Sequence, residues 1–90
     1  MAQASSEAVV VTLPQGVDLH ARPAADFVRA AMGFSSSITV GAGDREADAK
    51  SLLSVLALGA KARTELRLTA TGDDADAALA AMRERVATLS

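Results

Sequence analysis

The segment ELRLTA, residues 65–70, puts Leu66, Leu68 and Ala70 on one side of an extended chain and Glu65, Arg67 and Thr69 on the other. Strict alternation of this kind means a strand with one face in a core and the other in water. SSITV at 36–40 repeats the pattern, with Ile38 and Val40 opposed to Ser37 and Thr39. AVVVTL at 8–13 is rich in β-branched residues and predicts another strand. GAGDR reads as a hairpin turn into a short strand at EADA, 46–49. One-sided strands need something to cover their apolar face, and the intervening segments change period accordingly. Ala24, Phe27, Val28 and Ala31 recur at i, i+3, i+4 and i+7, which predicts an amphipathic helix from Pro23 onwards, with Asp26 and Arg29 on its wet side and Gly33 as terminator.

SLLSVLALG at 51–59 predicts a two-turn helix stopped by Gly59. After Gly72, the acids Asp73, Asp74 and Asp76 suit the positive end of a last helix. Its stripe is Ala75, Ala78, Leu79, Met82, Val86 and Leu89. The order is β-α-β-β-α-β-α. The predicted fold is α+β, an open-faced β-sandwich whose four-stranded antiparallel sheet carries three helices on one face.

Ninety residues make one domain, residues 1–90, with residues 1–7 expected to form a flexible tail. Half the residues are apolar but Phe27 and Phe34 are the only aromatics, so aliphatic side chains must build the core. A formal net charge of −2 argues against a nucleic-acid binder. The absence of cysteine excludes thiol catalysis and thiolate metal sites, and a single histidine disfavours a zinc or iron centre. No metal or cofactor is expected. MAQASSE has neither the basic region nor the apolar run of a signal peptide, and nothing approaches bilayer-spanning length. A cytoplasmic monomer is expected.

The one histidine, His20, lies in DLHARPAADFV, residues 18–28. It abuts a helix start, where several backbone N–H groups lack partners in the helix. Ala21 and Arg22, the expected N-cap positions, offer no capping oxygen, which leaves those donors open to an anion. Arg22 adds a guanidinium able to grip phosphoryl oxygens. A neutral imidazole has a nucleophilic nitrogen that can carry a phosphoryl group. Nothing in the chain marks the activated serine and oxyanion hole of a Ser-His-Asp triad. Together these features describe a phosphoryl carrier.

LHARPAADFV resembles the active-site signature of HPr, the histidine-containing phosphocarrier family of the phosphoenolpyruvate-dependent sugar phosphotransferase system. AKSLLSVLALG, 49–59, resembles the second signature of that family, and the likeness runs over residues 8–89. The resemblance implies that His20 takes a phosphoryl group on Nδ1 from phospho-Enzyme I and passes it to the IIA domain of a sugar permease. Arg22 would stabilise that group, and Pro23 matches the proline of the same signature. Ser51 matches the serine that HPr kinase/phosphorylase modifies in many Gram-positive bacteria. Its plain alternative is a helix N-cap.

Asp18 stands where the family usually has glycine. A carboxylate there opposes a phosphoryl group on His20 unless it points away. DLHARPA also resembles the HPr-like domain of the dihydroxyacetone kinase branch, and the nitrogen-related branch is a further relative. The Lys50–Ser51 step favours the sugar branch. A regulatory protein-binding domain is the remaining alternative, and it would need neither His20 nor Arg22.

At 100° per residue, Leu52, Leu53 and Leu56 gather on one face of the second helix, with Val55, Leu58, Ser51 and Ser54 opposite. Burying a leucine is worth about 1.5–3 kcal/mol, so three leucines left outward predict a partner surface. The resemblance implies the same, because in this family the second helix docks onto partner proteins.

Overall fold

The structure, a computed structural model, describes the chain from residue 5 to residue 90, with side chains from residue 8. Seven elements follow one another: β1 Ser5–Thr12, α1 Ala21–Ala31, β2 Ser37–Ala42, β3 Arg45–Asp48, α2 Leu52–Leu58, β4 Glu65–Gly72 and α3 Ala75–Ala87. The order is the one that the periodicities predict. The four strands form one antiparallel sheet in the order β1-β4-β2-β3. β4 is therefore central, and β1 and β2 flank it as parallel neighbours joined across it by α1.

Element ends differ from the sequence expectations by a few residues. β1 starts at Ser5, opposite Gly72, because β4 runs long enough to offer it backbone partners. Residues 1–4 of the expected tail lie outside the described residues. α1 starts at Ala21, two residues ahead of Pro23, so proline occupies the third helical position rather than the first. That position still lies in the first turn, where its missing N–H breaks no helical bond. β2 and β3 are joined by Gly43 and Asp44 alone, with Gly43 at φ 62 supplying the left-handed geometry of a two-residue hairpin loop.

The alternation in β4 sorts as expected, with Leu66, Leu68 and Ala70 buried and Glu65, Arg67, Thr69 and Thr71 exposed. α3 covers β1 and β4, and α1 lies between α3 and α2. The core is the layer between sheet and helices, filled by Phe27, Leu13, Leu19, Ile38, Leu66, Leu68 and Met82. All four predicted apolar positions of α1 and all six of the α3 stripe are buried. The opposite face of the sheet is left to solvent, where the Arg67 guanidinium packs against Gly41. No described helix is long and apolar enough to cross a membrane.

Candidate functional site

The loop from Leu13 to His20 delivers the histidine to the start of α1. Pro14 and Gly16, the latter at φ 81, shape the loop, and the Val17 N–H donates to the Pro14 carbonyl at 3.2 Å. Leu19 is completely buried and donates its N–H to the Ala60 carbonyl at 2.9 Å. Fixing Leu19 inside fixes its neighbour outside, and His20 is exposed.

His20 is itself the N-cap of α1, a correction to the expected Ala21 or Arg22. Its backbone is extended, at φ −148 and ψ 165, and no side chain caps the helix. The N–H of His20 is used, donating to the Asp18 carbonyl at 2.8 Å. Pro23 has no N–H, and the first helical bond is that of Ala24 to the His20 carbonyl at 3.2 Å. Of the amides that a helix start leaves without helical partners, those of Ala21 and Arg22 therefore remain. Ala21 holds φ 48, a left-handed geometry uncommon for a residue with a Cβ. Arg22, one residue on, is exposed. The helix end thus leaves two backbone donors unused by the helix, with the exposed side chains of His20 and Arg22 beside them in sequence.

The other wall comes from the far side of the fold. Gly59, the left-handed C-cap of α2 at φ 63, together with Ala60 and Lys61, lines an open pocket of about 210 Å³ with Asp18, Leu19 and His20. Asp18 does not simply project at the histidine. Its Oδ1 accepts the Ala62 N–H at 2.8 Å, joining residues 44 positions apart.

Ser51 lies at the other end of α2, about 12 Å along the helix axis from Gly59 at the usual rise per residue. Its Oγ accepts the Ser54 N–H at 3.2 Å, so it is a genuine N-cap and is half-buried. On the same helix Val55 and Leu58 are buried while Leu53 is 81% exposed and Leu52 42%. Leu56, expected outward with them, is half-buried and packs on the core. At a helix margin between sheet and solvent, a leucine can rest its stem on the core without being enclosed. The outward apolar face is therefore Leu52 and Leu53, with Leu56 as its floor.

Lys61 was not marked by any local pattern. It follows a helix-stopping glycine in a loop, and only the crossing of that loop over Leu19 brings it to the histidine.

The sequence profile described as the PTS HPr component phosphorylation site matches residues 5–88. Phosphocarrier protein HPr of Haloferax volcanii is 39% identical over 84 residues, covering 91% of this chain and 93% of its own. Phosphocarrier protein HPr of Mycoplasma capricolum is 41% identical over 68 residues, 76% of each chain. The crystal structure of HPr-C-His from Thermoanaerobacter tengcongensis superposes with a TM-score of 0.87 at 34% identity, covering 91% of this chain and 92% of that one. Fold and profile together define a phosphocarrier protein of the phosphotransferase system. The chain belongs to the HPr family.

Proposed function

We propose that this chain accepts a phosphoryl group on His20 from phospho-Enzyme I and delivers it to the IIA domain of a sugar permease, acting in the cytoplasm as a carrier and not as an enzyme. The observation that carries this reading is the exposed imidazole at an uncapped helix start, with the amides of Ala21 and Arg22 unused by the helix. Transfer is an in-line displacement. A ring nitrogen of His20 attacks phosphorus, a new N–P bond forms, and the N–P bond of the donor phosphohistidine breaks, its electron pair returning to the donor imidazole. Such a step asks for positioning and charge stabilisation more than covalent activation. The helix end and Arg22 supply the second, and the partner supplies most of the first.

Leu52 and Leu53 form the apolar part of the surface that partners cover, since their helix ends beside the His20 pocket. Ser51 is the candidate for modification by HPr kinase/phosphorylase. A phosphate there would add charge to the edge of the same docking face, which would weaken partner binding without touching His20.

The test is incubation with phosphoenolpyruvate and catalytic Enzyme I, followed by detection of an acid-labile, alkali-stable phosphoryl adduct. The wild type gains one and His20→Ala gains none. A wild type that gains no adduct, or a His20→Ala chain that gains as much, overturns the reading.

A further inference from the structure

On the helix side of His20 the charges favour an anion, but on the pocket side they are mixed. Asp18 lines that side with its carboxylate, and so does Gly59, the cap at the C-terminal end of α2. A carboxylate and a helix C-terminus are both negative. Among the residues lining the pocket, Lys61 alone carries positive charge, and it makes no ion pair among the described residues.

The backbone of Lys61 is held closely. One residue before it, the Ala60 carbonyl accepts the Leu19 N–H at 2.9 Å. One residue after it, the Ala62 N–H donates to Asp18 Oδ1 at 2.8 Å. Its own carbonyl accepts the Thr64 N–H at 3.0 Å, closing a tight turn in which Arg63 takes φ 66 and donates its N–H to the Leu13 carbonyl at 3.1 Å. Lys61 therefore stands at the corner of a turn tied on both sides to the segment that carries the histidine. The ties to Leu13 and Leu19 are backbone to backbone, whereas the tie to Asp18 uses a side chain, at the position where the family usually has glycine.

Resting on the carrier reading of His20, we propose that Lys61 is a second cation for the phosphoryl group, and that Asp18 is its positioning residue through the Ala62 N–H. A carboxylate two residues before the phosphorylated histidine would by itself oppose the added charge. Here one of its oxygens is engaged by an amide, and that bond holds the turn that brings an ammonium to the same pocket. Arg22 and the amides of Ala21 and Arg22 hold the phosphoryl oxygens from the helix side, and Lys61 holds them from the α2–β4 turn. Asp18 and Lys61 work as a pair, the lysine offsetting the charge that the aspartate introduces.

The test measures the equilibrium constant for phosphorylation of the full chain by Enzyme I at fixed phosphoenolpyruvate-to-pyruvate ratios, with the phosphohistidine quantified by phosphorus NMR at low and high salt. Lys61→Gln lowers that constant about threefold at low ionic strength, the size expected of an exposed charge partner. The deficit closes at about 1 M salt, where the screening length falls to about 3 Å. Lys61→Arg restores the wild-type value. Asp18→Asn retains an acceptor for the Ala62 N–H and phosphorylates at least as well as wild type. Asp18→Ala loses the acceptor and falls below Asp18→Asn, and this difference vanishes in the Lys61→Gln background.

A Lys61→Gln chain equal to wild type at low salt overturns the assignment. So does a deficit that salt leaves unchanged and Arg does not restore, since a structural role would behave that way. An Asp18→Ala to Asp18→Asn difference that persists without Lys61 overturns the positioning role. In all these outcomes wild type still carries phosphate on His20, whereas failure of the carrier reading leaves wild type unphosphorylated.

Discussion

Ser36 donates its backbone N–H to Asp74 Oδ1 at 2.9 Å, tying the chain just past α1 to the residue that opens α3, 38 positions later. The Ser35 N–H takes the other carboxylate oxygen at 2.9 Å, and the Ser36 hydroxyl also donates to Oδ1. Asp74 holds the N-cap position of α3 yet makes no side-chain bond to its own helix. Its carboxylate is spent on a distant loop, joining the residues just before β2 to the start of α3.

These bonds, led by that from the Ser36 hydroxyl, lower the carboxyl of Asp74 from 3.8 to about 2. The folded state therefore stays ionised at pH values where the unfolded chain has begun to bind a proton. Stability from this group is complete above 3.8 and is lost as pH falls through about 2. Urea midpoints measured across that window should fall more steeply for wild type than for Asp74→Asn. The asparagine variant should also be the less stable at neutral pH, because one amide oxygen replaces two carboxylate oxygens.

Gly72, two residues earlier, allows the close approach that this clasp requires. It sits at φ 149, and a Cβ there would fall 2.8 Å from the Ser36 Cα, against backbone that cannot yield. Gly72→Ala should cost about 2 kcal/mol or more, from strain and displacement of Ser36 together. Chemical denaturation at neutral pH reads this directly, and a loss below about 0.5 kcal/mol would show that the loop relaxes freely.

Neighbouring positions of α2 should respond in opposite ways to the same change. Leu53→Asp places charge on a side chain that is 81% exposed, so stability should shift by about 0.5 kcal/mol or less. Transfer from Enzyme I should nevertheless fall about tenfold, as expected when an apolar anchor is lost from an interface. Val55→Asp buries a carboxylate at a position with no exposure and should unfold the domain. Circular dichroism melts alongside transfer assays separate the two effects.

Ala21 carries its left-handed φ of 48 with a Cβ in place. Ala21→Gly should stabilise the fold by about 1 kcal/mol, by removing the steric penalty of that region. Ala21→Val should destabilise it, since a β-branched side chain tolerates positive φ least. Thermal unfolding of both variants checks the sign.

Much of this molecule was legible in short stretches of sequence, because the physics there is local. Alternation in ELRLTA and 3.6-residue spacing in α1 and α3 depend only on which side of an element meets water, and each placed its buried residues correctly. The faces of α2 followed from the same geometry, save Leu56, whose half-burial depends on what lies beneath the helix margin. That this helix start lacks a side-chain cap was readable from DLHARP, where Ala21 and Arg22 offer no capping oxygen, but the cap position itself, His20, was not.

Tertiary structure alone decided the partners of the polar side chains. Asp74 looks in sequence like an ordinary acid at a helix start, and Asp18 like an intrusive charge beside a histidine. One clasps Ser36 and the other Ala62, across separations of 38 and 44 residues. A hydrogen bond between such groups forms only after the sheet and helices have brought the loops together, so no local pattern encodes it. Lys61 reaches the histidine pocket for the same reason: the chain specifies where its helices stop, and the packing of Leu19 under Ala60 decides what those stops face.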